Sequence, residues 1–504
     1  MVTRTVAKNV IWNWAGMGTN MLAGFVVAPF LVHRLGQTVY GLWILVASLI
    51  YYFGLLDLGI CGAVGRQLAF YRAKGDRQGM NSTLSTALAI LTGAGLLALI
   101  GTLGVMVLFF KIFNVPPEQV ADVRLSLLLV GLNLMVWLPL NTFNATLWAC
   151  QRFDLINITD ICSVSTRVAL TFYFVSHGYG LVALGLINLI TLSGGQAIKG
   201  IIALRIDPGL RISPTLPRKD AAKALMGIGF WNSILMLAGV VNGQLGSLVV
   251  GSRLAVQLVT AFSVATRLMG YGRDFLVAST GVLTPVAVSF HAEEKHDQQQ
   301  RLVIYGGKYC LTIAIFFILV LTTLGTTIIK LWMGSELEWA GSLLVIIALG
   351  EALPLSQWVS YSTILGQYRH RALACAAIFE SGTAILLAMI LVKHYGMTGV
   401  CIGIAIPATL CRGCFQMFYA CKLVKLPVTR YLGQVMLPVL SAAALPALGL
   451  IAAVQWKPPE NWLELMTYTG VFGLALVILV VLLTESEWVI RSLGQRLAQT
   501  IVNR

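Results

Sequence analysis

Runs of about twenty apolar residues, repeated along the whole chain, leave very few folds open to it. A helix needs roughly 20 such residues to cross about 30 Å of hydrocarbon, and in lipid its backbone groups must bond within their own segment. Stretches of this kind begin near Ile11, Val39, Leu84, Val123, Ile156, Leu181, Leu225, Leu254, Val303, Gly341, Leu373, Gly399, Leu432 and Met466. They lack the short alternating pattern of a transmembrane barrel. The sequence therefore predicts an all-α membrane protein with about 14 transmembrane helices. Composition agrees, since 11% of the 504 residues are charged, against roughly 25% in a soluble domain. The first span carries Trp12, Asn13, Trp14 and Asn20 without a small-residue cleavage site, so it reads as a retained helix and not as a signal peptide.

The net charge of +15 invites a nucleic-acid reading, which its distribution argues against. Sorting Lys and Arg by alternate loops puts about 25 on the side shared by both termini, about 7 opposite and about 3 within spans. That bias predicts cytoplasmic termini and no nucleic-acid partner. The loop from Lys199 to Lys223 and the one around Arg66, Arg72, Lys74 and Arg77 carry most of it, and anionic headgroups account for both.

The two halves echo each other in order. "MLAG" occurs at Met21 and Met236, "LPL" at Leu138 and Leu353, and Gln151 precedes Tyr179-Gly180 as Gln367 precedes Tyr395-Gly396. The offset stays near about 215 residues, which chance matches in apolar sequence do not readily keep. Six spans per repeat is an even number, so both copies enter the membrane the same way round. The expected organisation is an N-lobe over residues 1–214, a C-lobe over 215–425, and an added helix pair with a tail over 426–504. The basic segment from Lys199 to Lys223 would link the lobes.

Several familiar motifs carry no chemistry here. "LSGGQ" at Leu192–Gln196 matches an ATP-cassette signature, yet no phosphate-binding loop accompanies it. The six histidines, His33, His177, His291, His296, His370 and His394, form no metal motif, so no metal and no cofactor is expected. "CRGC" at Cys411–Cys414 has redox spacing at a membrane edge and reads as packing. Short outer loops leave little room to shape a catalytic centre, so the chain reads as a transporter and not an enzyme.

The chemistry lies in charges and amides placed inside the spans. Thr260, Ser263, Arg267, Gly270 and Asp274 fall along one stripe of the eighth span, and Arg273 lies about 120° from Arg267. Arg267 sits about 21 Å in from the outer end near Arg253. It is either a ligand for an anion or one arm of an ion pair with Asp274, Glu351 or Glu380. The second span ends "GLLDLGICGAVGR", with Asp57 well inside, Arg66 at its end, and Gly54, Gly59, Gly62 and Gly65 permitting close packing or a bend. Asn133, Trp137, Asn144 and Trp148 share a broad face of the fourth span around Pro139; Glu351, Pro354, Trp358 and Ser362 form the corresponding stripe of the second repeat. Asn9, Asn13 and Asn20 with Trp12 on the first span, and Trp231, Asn232, Asn242 and Gln244 on the seventh, add amides and indoles. Such groups can hydrogen-bond and stack on sugars, or can join helices to one another. Asp160 and Arg167 on the fifth span are either cavity groups or an internal pair.

The opening "NVIWNWAGMGTNMLAGFVVAPFLVHRLGQTVYGLWILVASL", the "LLDLGICGAVGR" segment and the following "AFYRAKGD" resemble the polysaccharide transporter family of the multidrug/oligosaccharidyl-lipid/polysaccharide (MOP) flippase superfamily. The resemblance implies a MOP/MATE-like fold and a multi-pass protein of the bacterial inner membrane. It implies a flippase for undecaprenyl-diphosphate-linked oligosaccharide in O-antigen, capsule or exopolysaccharide assembly, working by alternating access. Related lipid II flippases carry arginines on the first, second and eighth spans. This chain matches at Arg267, but has no mid-span arginine on the first span and only Arg66 on the second, which argues against lipid II as its substrate. On this reading Arg267, Arg273 and Arg66 are the diphosphate candidates, and Asn133, Trp137, Asn144, Trp358 and Asn20 the sugar candidates. Asp57 and Glu351 would couple a proton or sodium ion. Polysaccharide polymerases or glycosyltransferases would be partners. The rival readings are a multidrug or cation antiporter of the same superfamily and a membrane glycosyltransferase or ligase.

Overall fold

The computed structural model describes residues 2–57, 59–213, 220, 222, 225, 230–280 and 283–484. The expected lobe boundary at residues 214 and 215 and the tail beyond 484 lie outside the described residues, as do the side chains of Asn9, Asn13 and Asn232. Helices account for nearly all the rest: α1 Val2–Gly54, α2 Ile60–Lys74, α3 Arg77–Ile112, α4 Val120–Ala149, α5 Phe153–Ser176, α6 Leu181–Ile206, α7 Phe230–Arg253, α8 Val256–Thr280, α9 Leu283–Ala292, α10 His296–Met333, α11 Ala340–Ser356, α12 Trp358–Gly366, α13 His370–Leu423, α14 Val428–Trp456 and α15 Trp462–Thr484. No strand occurs among the described residues.

By length and apolarity, ten to twelve of these elements are candidate membrane spans, counting α8 with α9 and α11 with α12 as bent pairs; the second pair bends by 41°. Two candidates are too long for one crossing. The 54 residues of α13 would run about 81 Å as one straight helix. Instead the chain leaves helical geometry at Gly396 (φ 55°, ψ −134°), as α1 does at Gly36 (φ 80°, ψ 164°). Glycine alone enters such backbone regions cheaply. Gly396 is the partner, in the sequence echo, of Gly180, where the chain also breaks between α5 and α6 (φ −98°, ψ −137°). Each long element thus has the length and the break for two crossings, compatible with the expected fourteen.

Among the described residues six short turns close in one way. Gly75, Gln151, Gly178, Glu294, Tyr368 and Lys425 take positive φ, and two backbone bonds reach back three and five residues, as in Gln151 N to Trp148 O (2.9 Å) with Arg152 N to Leu147 O (3.1 Å). This cap satisfies the last carbonyls and reverses the chain into the next helix. The turns at Gln151 and Tyr368 fall within two residues of the repeat offset, and the second closes with the same pair of bonds: Tyr368 N to Leu365 O and Arg369 N to Ile364 O. The sixth helix of each half also contains a π turn, Leu189–Ser193 and Thr409–Phe415.

By their internal contacts the residues group into two compact units, one ending at Ser263 and one starting at Val264, a division inside α8. The grouping follows packing: α7 and the start of α8 rest on α1, where Thr260 donates to Gln37 O (2.6 Å) beside the Gly36 break. In the first unit α3 and α4 pack closely because Gly95 has no Cβ; one would meet Met135 O at 2.7 Å. In the second, the two arms of α13 meet the same way at Gly403, where a Cβ would come 2.5 Å from Ala388 N. Large apolar side chains point outward on α3, α14 and α15, among them Leu97, Val107, Leu445 and Leu474. Lipid is the only solvent that tolerates so much of this surface.

Candidate functional site

Arg267 is exposed on α8, and its guanidinium lies 4.8 Å from the centre of the Tyr271 ring, one turn further on. Tyr271 in turn meets the edge of Trp332 on α10 (6.5 Å). A guanidinium over an aromatic face keeps its in-plane N–H groups available to oxygen acceptors. Of the stripe predicted with it, Thr260 is fully buried and ties α8 to α1, Ser263 bonds back to Thr260 O (2.8 Å), and Asp274 is exposed. Of the carboxylates considered as partners for Arg267, Glu351 and Glu380 bond other arginines.

Those carboxylates form a cluster within the second unit. Arg412, in the π turn of α13, donates Nε to Glu380 (2.8 Å), Nη1 to Glu351 Oε2 (3.1 Å) and Nη2 to Glu351 Oε1 (2.7 Å). Arg273 adds a bond from Nη2 to the same Oε1 (2.8 Å). Glu351 and Glu380 are buried, whereas the Arg273 side chain is 39% exposed. Two cations and two anions cancel, so the cluster offers no net charge to a ligand. Arg273 and Glu351, expected to bind diphosphate and a coupling ion, are bonded to each other. Trp358 is half-buried against Tyr361 (5.3 Å), and Ser362 accepts a bond from Thr284 (3.0 Å).

The first unit holds a polar wall on α4. Trp137, Asn141, Asn144 and Trp148 recur at spacings of four, three and four, so they share one face. Asn141 donates to Cys61 Sγ on α2 (3.3 Å), and Gly65 comes so close to Trp148 that a Cβ would lie 3.0 Å from its ring. On the other side Lys199 of α6, 2% exposed, donates to Asn144 (3.1 Å) and to Asp160 of α5 (2.7 Å). Asp160 therefore pairs with Lys199, not with Arg167. Asn133 is buried and accepts a bond from Ser193 (2.9 Å), joining α4 to α6. Asn20 is exposed but bonds its own Gly16 O (3.0 Å), and Arg66 is exposed. Asp57 ends a 3-10 turn, with Gly59 left-handed beyond it (φ 73°), and accepts the backbone N–H of Cys61 (3.1 Å) at the start of α2.

Two paired cations inside the helices are absent from the candidates drawn from sequence. Lys199 was counted with the basic linker; the structure corrects this, because α6 continues to Ile206 through the apolar run "AIKGIIAL". Arg412 was hidden in "CRGC", read for its cysteines. In both cases the usable signal was a lone cation amid apolar residues, inside a helix by 7 residues for Lys199 and 11 for Arg412. Among the described residues no group of three or more His, Cys, Asp or Glu side chains is arranged to hold a metal ion.

A family model described as "Polysaccharide biosynthesis protein" matches residues 6–291, more than half of the chain. The chain belongs to this family. Among its relatives is a putative O-antigen transporter of Shigella flexneri, 21% identical over 431 residues, which cover 82% of this chain and 98% of that protein. Among solved structures, the lipid II flippase MurJ in an inward closed conformation aligns with a TM-score of 0.72 at 15% identity, covering 95% of this chain and 99% of that one. An inward-facing multidrug resistance MATE transporter of the MOP superfamily aligns with a TM-score of 0.67 at 14% identity, over 80% and 98%. This polysaccharide biosynthesis family member is therefore a multi-pass membrane protein with the MOP transporter fold.

Proposed function

We propose that the protein is a flippase that carries an undecaprenyl-diphosphate-linked oligosaccharide of O-antigen, capsule or exopolysaccharide assembly across the bacterial inner membrane. The observation that carries this reading is Arg267: an exposed arginine near the middle of a membrane helix, set over the Tyr271 ring. A diphosphate needs a cation with directed N–H donors, and guanidinium supplies them in pairs. The sugars need amides and indoles, which the α4 wall presents at Trp137, Asn141, Asn144 and Trp148. The prenyl chain can stay in lipid. Alternating access moves the headgroup, with Asp57, beside the glycine break before α2, as the candidate for proton or sodium coupling. Transport, rather than catalysis, also fits the relative named as an O-antigen transporter. Polymerases and glycosyltransferases acting on the same lipid-linked unit are the fitting partners.

The test is Arg267→Ala in a host that depends on this protein for surface polysaccharide, with Arg267→Lys beside it and membrane abundance measured for both. The expected result is loss of polysaccharide by about 30- to 150-fold at unchanged abundance, since a charge-assisted pair contributes roughly 2–3 kcal/mol. Lys should recover part of it. Full polysaccharide in Arg267→Ala overturns the diphosphate role, and cation-drug resistance conferred by the protein supports an antiporter instead.

A further inference from the structure

Helix α10 is 38 residues long, about 57 Å, nearly twice the hydrocarbon thickness of about 30 Å. Its long apolar stretch begins only at Cys310. The preceding turns, with Arg301, Tyr305, Lys308 and Tyr309, therefore lie at or beyond headgroup level. Arg301, Tyr305 and Lys308 are four and three residues apart and share one face. Tyr305 and Tyr309 are 55% and 49% exposed, and Lys308 Nζ stands 5.3 Å from the Tyr305 ring centre. Arg301 is exposed and has no hydrogen bond or ion pair among the described residues. The acids of the adjoining turn leave it unneutralised: Glu293 bridges Lys295, and neither Glu294 nor Asp297 is bonded to Arg301. Against this face, α9 leaves a groove of about 420 Å³ between Leu283 and Phe290 on one side and Arg301, Leu302, Tyr305 and Tyr309 on the other. The groove is cationic toward the start of α10 and apolar toward its membrane core.

We propose that this groove binds one anionic phospholipid of the surrounding bilayer. Its phosphate meets Arg301, with Lys308 flanking the groove, its glycerol region lies on the Tyr305 ring, and one acyl chain passes Leu283 and Tyr309 toward the hydrocarbon. Charge complementarity and helix depth select this occupant: the cations sit where headgroup phosphates are, and the apolar part of the groove runs on into the hydrocarbon. The site is independent of the transported substrate.

The experiment is native mass spectrometry of the full-length protein extracted from vesicles of equal phosphatidylglycerol and phosphatidylcholine. The wild type should retain one phosphatidylglycerol per chain in clear preference. Removing two cations at headgroup level, with Arg301→Gln and Lys308→Gln together, should weaken retention by about 30-fold. Leu302→Trp, which fills the groove and leaves both charges, should also release the lipid. Equal retention of the two lipids by wild type, or unchanged retention in both variants, overturns the proposal. So does displacement by inorganic phosphate alone, which would mark a site for free anions, or preference for a prenyl diphosphate over phosphatidylglycerol, which would mark a substrate site.

Discussion

The buried charges of the first unit and those of the second solve one problem with different chemistry. In each half the fourth, fifth and sixth helices meet at a polar cluster: Asn144, Asp160 and Lys199 on α4, α5 and α6, and Glu351, Glu380 and Arg412 on α11 and the two arms of α13. Along their own helices Asn144, Asp160 and Lys199 lie about 7 to 10 Å from the nearer end and Glu380 and Arg412 about 15 Å or more, while Glu351 lies about 16 Å from the start of α11, shortly before its bend into α12. Depth explains the difference. Near the interface one lysine suffices, because Asp160 keeps 43% of its side chain exposed and can draw on water or headgroups. Deeper in, desolvation is harsher, and only a guanidinium with several directed bonds to two carboxylates keeps every charge paired. The register set by Tyr179 and Tyr395 places Gln196 opposite Arg412 and Val164 opposite Glu380. Duplication therefore supplied corresponding helices, and each half placed its own charges on them.

The comparison breaks most easily at Arg412. Arg412→Met leaves two buried carboxylates with Arg273 alone, and breaking a buried pair from one side costs about 3–5 kcal/mol. Membrane abundance and thermal stability in detergent should collapse, and adding Glu351→Gln with Glu380→Gln should restore most of the loss. Lys199→Met should do less damage, about 2 kcal/mol, because Asp160 can be solvated; Lys199→Met with Asp160→Asn should approach wild type in the same thermal assay. If Lys199→Met proves as damaging as Arg412→Met, depth is not the deciding variable. Arg273→Gln should cost about 1 kcal/mol or less, since Glu351 keeps Arg412 and Arg273 is partly exposed. A larger loss of transport than of stability there would show that Arg273 also serves the substrate. The smallest expected effect is Tyr271→Leu, which removes the ring beneath Arg267: about a threefold loss of transport at unchanged abundance, with Tyr271→Phe near wild type.

Much of this architecture was legible without coordinates. Apolar run length gave the helical class, and the Tyr-Gly echo marked Gly180 and Gly396, where the chain does break. The eighth-span stripe was legible only in part: periodicity aligned Thr260 with Arg267, yet Thr260 is consumed by Gln37 and Arg267 is not buried with it. Asn133 shows the same limit. Helical spacing put it on a face with Trp137, but whether an amide faces a ligand or Ser193 depends on the helix packed against it.

The sequence by itself determined that the chain spans a membrane as helices, that it is built from two similar halves, and that charges had to be placed inside. Those conclusions need only transfer energies and periodicity, which are local properties of the chain. The pairing of charges was decided by tertiary structure alone. Arg273, Glu351, Glu380 and Arg412 are up to 139 residues apart, and whether a guanidinium is balanced or open to an anion depends on which helices pack together, not on its neighbours in sequence.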